Sequence, residues 1–462
     1  MKALRCLVLA VIAAIFVSGC SSFQQRDQLA SFNEAYVTGD YNAALKAVSF
    51  TVSENKPVDS REHLLELLHQ GEMYRLTGRY VESAEAFDLA EAGMKFLDTE
   101  GLLARASQGF MAVMVNDSER DYEALMSETV LVNTYKGLAF LALGNNDYAR
   151  VEFNRADDRT RRAVDYFRKE IAEQQAALTT AARNGNSQAS MVRSSLGNRN
   201  FQSAVDSQYG APSSWSVFSE FIVPSSTYLH GIYFLANAAG GADYEQAGTQ
   251  SLAGLSPQVW LVYENGLGPV LRESRLDVPL FLIRGNQQVP AYFGIALPVY
   301  AERSAVPGNI GVAGDRGEVV RTERISDMGK VIRTEMKERF SGVLARAVTS
   351  AISKAVLQNE AAEQFGPWGQ LFSAVFTVAT TQADLRSWQA LPDHWQAARI
   401  DRPDNGRLTL LGERGELLGT LEIPQQPFTL VYVKRPTLKA PATVMIMDLQ
   451  GKTEAAFARL PE

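Results

Sequence analysis

The chain has 462 residues, 46% hydrophobic and 21% charged, a balance typical of globular proteins with more than one domain. Its net charge of -7 comes from 45 basic and 52 acidic side chains, and no Lys/Arg-rich stripe occurs, which excludes nucleic acid as the main partner. Two cysteines and four histidines are too few for a disulfide scaffold, a zinc finger or an iron–sulfur site.

The N-terminal residues have the order of a secretory signal peptide. Basic residues precede an apolar run at 7–17, and small residues follow it directly before Cys20. This run is too short to cross a bilayer as a helix, which needs about 20 residues. The sequence Val17-Ser18-Gly19-Cys20 resembles the bacterial lipobox. The resemblance implies cleavage after residue 19, with S-diacylglycerol and N-acyl groups on Cys20 as the only covalent additions.

The residue after Cys20 indicates the membrane in which the protein is anchored. Ser21 stands where an aspartate would resemble an inner-membrane retention signal. We therefore expect a protein that is anchored by lipid in the outer membrane and faces the periplasm. An ordinary signal peptide with an incidental cysteine is the alternative.

Residues 20–257 carry a helical-repeat pattern. Small and aromatic residues recur at the spacing of a tetratricopeptide repeat (TPR), in which two antiparallel helices pack closely across a turn. The clearest copy runs from Gly71 to Ala90, and weaker copies occur near 39–44, 137–148 and 228–257. A generic helical hairpin would explain any single copy, whereas four in order predict an array.

An array of this kind exposes a concave surface that holds an extended peptide or a partner helix. We expect Tyr74, Arg75 and Tyr135 to face this groove, although aromatic residues at such positions also serve as core. Asn, Ser, Gly and Gln dominate residues 184–214, so this segment is predicted to be a flexible insertion in the array.

Residues 258–462 are predicted to form one α+β domain, with two separate β modules as the alternative. Short β-branched and aromatic runs predict strands over 258–325, with Asn265-Gly266 as a hairpin turn. A 3.6-residue period predicts a long amphipathic helix, followed by an apolar helix, within 327–385. Strands return over 396–460, and we expect an antiparallel sheet. The predicted fold class is therefore α+β, an all-α TPR-like array followed by this domain.

Several segments resemble an uncharacterised family of TPR-containing bacterial outer-membrane lipoproteins. The segments of similarity are Tyr122-Glu123, Ala149-Arg150-Val151-Glu152, Asn265-Gly266-Leu267-Gly268-Pro269 before Glu273-x-Arg275-Leu276, and Ala383-Asp384-x-Arg386-Ser387-Trp388-Gln389-x-Leu391-Pro392 before Ala397-Ala398-Arg399. The resemblance implies an envelope lipoprotein whose genes lie near those of lipoproteins that resemble penicillin-binding-protein activators. It implies no activity and no catalytic residues.

The sequence contains no Gly-x-Ser-x-Gly, no His-Glu-x-x-His and no Gly-x-x-x-x-Gly-Lys motif. The densest group of ionisable and aromatic side chains consists of Asp384, Arg386, Trp388, His394 and Arg399. A histidine near carboxylates can act as a general acid or base. These residues could equally form an aromatic and ionic clamp at the junction between the helices and the last strands.

We therefore expect a non-enzymatic adaptor that binds envelope proteins through its helical repeats and uses no metal, no cofactor and no nucleic acid. Regulation of peptidoglycan synthesis and assembly of an envelope complex are both compatible with this role. One alternative is an envelope hydrolase or glycan-binding protein that uses the 384–399 cluster. The other is a structural subunit of a secretion or surface-appendage apparatus.

Overall fold

The computed structural model of the protein describes residues 27–50, 58–94, 122–238, 256–284, 287–380 and 385–460. Helices dominate the N-terminal half of these residues, and strands around one long helix form most of the C-terminal half. This arrangement confirms a mixed α+β fold with the helical region first. Cys20 and Asp384 lie outside the described residues, as does the second half of the repeat copy at 228–257.

The first six helices of the described ranges form three helical hairpins. They are α1 (27–37), α2 (Tyr41–Ala47), α3 (Leu64–Leu76), α4 (Tyr80–Met94), α5 (Met126–Ala142) and α6 (Asn146–Arg183). Each hairpin turns through a glycine with positive φ: 76° at Gly39, 76° at Gly78 and 69° at Gly144. A Cβ on Gly71 would lie 2.6 Å from the Phe87 ring, so a small residue is required where α3 meets α4.

The segment 184–214 contains regular structure, so the prediction of an irregular insertion is wrong there. It forms α7 (Ser187–Leu196) and α8 (Arg199–Tyr209), and α9 (Pro224–Asn237) follows. The side chains of Asn186 and Asn198 cap the first two of these helices. A few apolar residues then suffice to hold these helices against the rest of the protein. Val192 and Phe201 are buried in a small core together with residues of α10 and β3 (defined below).

Twelve strands in the described ranges form three sheets. They are β1 (Gln258–Asn265), β2 (Val270–Arg284), β3 (Gln287–Ala301), β4 (Gly311–Ala313), β5 (Val319–Arg321), β6 (Glu323–Asp327), β7 (His394–Asp401), β8 (Arg407–Leu411), β9 (Leu417–Glu422), β10 (Phe428–Arg435), β11 (Ala442–Asp448) and β12 (Ala456–Leu460). The six-stranded sheet has the order β12-β11-β10-β1-β7-β6, the four-stranded sheet has the order β5-β4-β8-β9, and β2 pairs with β3 alone.

Asn265-Gly266 does not form the predicted hairpin turn. β1 lies in the middle of the six-stranded sheet, parallel to β10 and antiparallel to β7, so this sheet is mixed and not purely antiparallel. The Asn265 side chain instead bonds both backbone groups of Val306, at 2.7 and 2.9 Å. Side-chain bonding of this kind fixes a change of direction without pairing the flanking strands.

The six-stranded sheet separates two hydrophobic layers because successive strand residues point to opposite faces. On one face, Trp260 of β1 and Leu430 of β10 share a core with the helical hairpins. On the other face, Leu261 and Val431 pack in a second core that includes Leu408 and Leu410 of the four-stranded sheet. The helical hairpins, the large sheet and the small sheet thus form three successive layers.

The two helices predicted over 327–385 form one helix, α10 (Met328–Thr380). A straight helix of 53 residues would be about 80 Å long. The backbone N–H of Met328, however, donates to the Asp393 carbonyl at 2.9 Å, and the chain from Thr380 to Asp393 reaches at most about 45 Å. Helix α10 therefore bends, and Gly366-Pro367 is where a proline removes a helical hydrogen bond.

Candidate functional site

The first helices of the three hairpins, α1, α3 and α5, turn one face toward the six-stranded sheet. We call this the inner face and define it by Tyr36, His69, Arg75, Glu128 and Tyr135. None of these five side chains is more than 1% exposed. The inner face is therefore an internal surface of the protein, covered by other parts of the same chain.

The predicted open groove at Tyr74, Arg75 and Tyr135 is wrong for two of these residues. Arg75 and Tyr135 do lie together, with the guanidinium carbon 4.4 Å from the ring centre, but both are completely buried. Tyr74 is half-buried and stacks under Arg79 at 4.5 Å. Arg75 and Tyr135 are buried because the side of the six-stranded sheet that faces the helices carries charged residues, and these residues pair with the inner face.

Four buried charges join α3 to the sheet. Arg75 donates to Glu72 through Nε and Nη2, both at 2.8 Å, and Nη2 also lies 3.2 Å from Glu264 of β1. Lys434 of β10 contacts the same two carboxylates, at 2.5 Å to Glu72 and 2.8 Å to Glu264. We call these four residues the ion network. Two positive and two negative charges balance, which is the condition for burying ions without an uncompensated charge.

Aromatic side chains surround the ion network and complete its hydrogen bonding. The Tyr432 hydroxyl donates to Glu264 at 2.6 Å, and the Trp395 indole N–H donates to the same carboxylate oxygen at 3.3 Å. Burial opposes ionisation of Glu264, but Lys434 and Arg75 outweigh it and hold its pKa at about 2. Burial also opposes the charge on Arg75, yet Glu72 and Glu264 raise its pKa well above the usual range.

A short segment that is neither helix nor strand, Ser387–Leu391, occupies the inner face, with a turn at Gln389 and Ala390, and we call it the inner segment. It lies between α10 and β7, and its hydrogen bonds reach helices 260 to 354 residues earlier in the chain. The Trp388 side chain, 2% exposed, sits between the rings of Phe87 and Tyr135, with centres 5.8 and 5.7 Å away. Edge-to-face contacts at such distances are favourable beyond the area that they bury.

Side chains from each hairpin bind the backbone of the inner segment. Tyr36 of α1 donates to the Ala390 carbonyl at 2.9 Å, His69 of α3 accepts from the Gln389 N–H at 3.1 Å, and Glu128 of α5 accepts from the Trp388 N–H at 3.2 Å. Further donors reach its carbonyls from elsewhere: Arg303 to Gln389 at 2.6 Å, Lys434 to Ala390 at 2.8 Å and the Gly268 N–H to Leu391 at 2.7 Å. An irregular buried segment thus has its backbone satisfied by side chains.

The two side chains that accept from the inner segment have strongly shifted pKa values. Burial raises the pKa of Glu128 to about 7, although hydrogen bonds from the Leu125 N–H and the Tyr122 hydroxyl oppose the shift. Burial lowers the pKa of His69 to about 4. The Nδ1 atom of His69 lies 2.7 Å from the Leu65 carbonyl, so Nδ1 carries the proton and Nε2 is the acceptor.

The structure does not gather the described members of the 384–399 cluster, Arg386, Trp388, His394 and Arg399, into one site. Arg386 lies 6.0 Å from the ring centre of Tyr122, whereas Trp388 belongs to the inner segment. His394 is 3% exposed at the start of β7, and Arg399 is exposed further along the same strand. Trp388 thus locks the junction between helices and sheet, as the clamp interpretation expects of an aromatic residue here.

Both ring nitrogens of His394 are engaged. Nδ1 lies 2.6 Å from an Asp393 carboxylate oxygen, and Nε2 lies 2.8 Å from the side-chain nitrogen of Gln396. The Gln396 side-chain oxygen in turn accepts from the Thr322 hydroxyl at 2.5 Å. A general base needs a ring nitrogen within reach of a substrate proton, and in this arrangement neither nitrogen of His394 is free.

Sequence reasoning missed several residues of this site, and for two of them a signal was present. Glu264 ends an apolar strand, and Lys434 stands near the end of another, at positions that a period of two assigns to the buried face. A charge at a core position requires a partner of opposite charge. Tyr36, His69 and Glu128 carry no comparable signal, because the segment that they bind is distant in sequence.

Comparison with known proteins adds no further assignment: no protein-family model, no curated protein and no solved structure matches this chain. Within the described ranges, no group of three or more His, Cys, Asp or Glu side chains is arranged to hold a metal ion. None of the helices in those ranges is both long and apolar enough to cross a bilayer.

Proposed function

We propose that the protein is a lipid-anchored adaptor of the bacterial cell envelope, facing the periplasm, whose helical hairpins bind segments of protein partners. One observation carries the proposal. Tyr36, His69 and Glu128, one from each hairpin, all bond the backbone of a single buried segment that connects α10 to β7. Stacked helical hairpins can hold a peptide segment of a partner on the same surface, by backbone contacts along successive repeats and pockets for a few side chains.

The anchor in this proposal is Cys20. Six residues separate it from the start of α1 at residue 27, and fully extended they reach about 20–25 Å. The hairpins would then stay close to the membrane, within reach of other membrane-bound envelope proteins. Regulation of peptidoglycan synthesis and assembly of an envelope complex both fit such a position.

Site-specific photo-crosslinking in cells tests the proposal. A crosslinking amino acid at Val81 or Tyr148, which are 52% and 58% exposed on α4 and α6, should give discrete adducts with the same envelope protein. Leu438, also 58% exposed but in the C-terminal half, is the matched control position. A Cys20→Ser variant should leave the membrane fraction and lose the adducts. Adducts of the protein with itself alone would contradict the proposal.

A structural subunit of a larger envelope assembly is the second candidate, because three elements are unusually long. β2 and β3 have 15 residues each and pair only with each other among the described strands, and α10 has 53 residues. Purification from native membranes should then yield a stoichiometric multi-protein complex, and recovery of the protein alone would contradict this role.

The hydrolase alternative draws no support from His394, whose ring nitrogens are both engaged by neighbouring side chains. It remains directly testable. Purified protein incubated with peptidoglycan should release no fragments if the adaptor proposal is correct. Release that disappears in a His394→Ala variant would favour the hydrolase.

A further inference from the structure

We propose that the inner segment is a resident ligand of the inner face, and that a partner segment that forms the same turn and bears one large aromatic side chain displaces it. The inference rests on the proposed function, since it names the class of partner that the hairpins recognise. It also assigns a role to the inner segment: while that segment is bound, the hairpins are closed to partners at this surface.

Recognition of the inner segment depends mainly on its backbone and on the Trp388 side chain, and the Gln389 side-chain oxygen also accepts from the Asn33 side chain. The polar contacts described above all go to N–H or carbonyl groups of residues 388–391. Of the side chains, Trp388 makes the ring contacts, with Phe87 and Tyr135. Backbone groups are common to every peptide, so the site selects for the turn that this backbone makes and for an aromatic ring.

The polar groups around the inner segment, on the inner face and on the side opposite it, match a peptide backbone whichever polypeptide that backbone belongs to. Arg303 and Lys434 present cationic donors to carbonyl oxygens, whereas His69 and Glu128 present acceptors to N–H groups. No part of this pattern requires that the segment belong to the same polypeptide. A partner segment in the same orientation would satisfy the same groups.

The hydrogen bonding between the inner segment and its surroundings is incomplete. A partner segment that completes this bonding would displace the inner segment favourably. Within the described part of the chain, the Trp388 indole nitrogen and the hydroxyl groups of Ser387 and Tyr135 are buried without a hydrogen-bond partner. Each unpaired buried polar atom loses its hydration without compensation. A partner that supplies an acceptor or donor to these atoms would bind the inner face more tightly than the inner segment does.

Peptide binding to the detergent-solubilised full-length protein tests the inference. The probe is a fluorescein-labelled peptide that copies residues 385–392, followed by fluorescence anisotropy. Wild-type protein should bind it weakly, because the inner segment competes at very high effective concentration. A Trp388→Ala variant weakens that competitor, and we expect saturable binding at least about ten-fold tighter than that of the wild type. The same peptide with alanine in place of its tryptophan should not bind.

The matched control is Trp215→Ala. Trp215 packs edge-to-face on Phe340 and donates to the Tyr209 carbonyl, so it removes an indole from a different part of the protein. This variant should bind the peptide no better than the wild type. The inference is overturned if a folded Trp388→Ala protein does not bind the peptide, or if Trp215→Ala binds it equally well.

Hydrogen exchange on the unmodified protein provides a test that does not depend on the variant's folding. The amides of Trp388 and Gln389 should exchange through a local opening, faster than the core amides of α3 and α5 after correction for intrinsic rates. Exchange of all these amides in one common unfolding event would overturn displacement. Neither result affects the crosslinks expected from Val81 and Tyr148, so failure here and failure of the adaptor proposal are distinguishable.

Discussion

Replacement of Lys434 by methionine tests the ion network most directly. The Lys434 ammonium group is completely buried and contacts three oxygens: 2.5 Å to Glu72, 2.8 Å to Glu264 and 2.8 Å to the Ala390 carbonyl. Methionine has a similar length but no charge, so two buried carboxylates would share the single guanidinium of Arg75. Removing one partner of a buried ion pair costs about 3–5 kcal/mol, and we expect a destabilisation in this range.

Urea unfolding followed by far-UV circular dichroism measures the effect, on protein that lacks residues 1–20 and keeps every described residue. The double variant Lys434→Met/Glu264→Gln removes one charge of each sign and leaves the Glu72–Arg75 pair balanced. It should therefore be more stable than the sum of the two single effects predicts, by about 0.5–3 kcal/mol. The exposed Lys452→Met control should change stability by less than about 0.5 kcal/mol.

Two outcomes would refute the reasoning about the ion network. A loss below about 1 kcal/mol for Lys434→Met would mean that water reaches the two carboxylates or that they take up a proton at little cost. Strict additivity in the double variant would mean that Lys434 and Glu264 do not interact, although their charged atoms are 2.8 Å apart.

Three further predictions concern the inner segment and its contacts. Burial raises the pKa of Glu128 from 4.5 to about 7, so stability should fall as pH rises from about 4.5 to 7, and urea midpoints of a Glu128→Gln variant should lack this slope. Burial lowers the pKa of His69 from 6.5 to about 4, so stability should fall as pH drops from 6.5 to 4, and the same titration of His69→Gln should lack this loss. A Cβ on Gly268 would lie 2.9 Å from the backbone oxygens of residues 391 and 392, so Gly268→Ala should cost about 1–3 kcal/mol in thermal unfolding. Gly231→Ala, with nothing within 4 Å of its Cβ, should be neutral or stabilising, and equal effects of the two substitutions would contradict the packing argument.

Local sequence patterns predicted the positions of helices and strands well. They predicted poorly which distant elements pair with one another. The glycine turns at Gly39, Gly78 and Gly144 mark three helical hairpins in the structure, because a positive φ after a helix is a local requirement. The period of two likewise located most strands. Neither signal specifies which distant element covers a face, and so the Asn265-Gly266 turn was assigned to a hairpin although β1 pairs with strands more than 120 residues away.

The candidate groove shows the same limit at the level of single residues. Arg75 and Tyr135 do face inward together, as the repeat pattern predicts. Their neighbours are Glu264 and Lys434 and not an external ligand, because a helical period reports the direction of a side chain and not the identity of what meets it. A pairing rule for buried charges could have linked Arg75 to Glu264, since each is a charge at a core position.

The hairpin turns and the C-terminal strands constrain each other along one edge of the large sheet. An ideal Cβ on Gly39 would lie 2.6 Å from Pro441, and the corresponding positions on Gly78 and Gly144 face Phe457 and Thr453 at 3.5 and 3.2 Å. Three successive turns are thus spaced to fit the region of β11 and β12, which leaves the inner face pointing at β1 and β10. The spacing of the repeats therefore does more than stack helices. It aligns the donors and acceptors of α1, α3 and α5 over the same strip of sheet, where the inner segment meets all three.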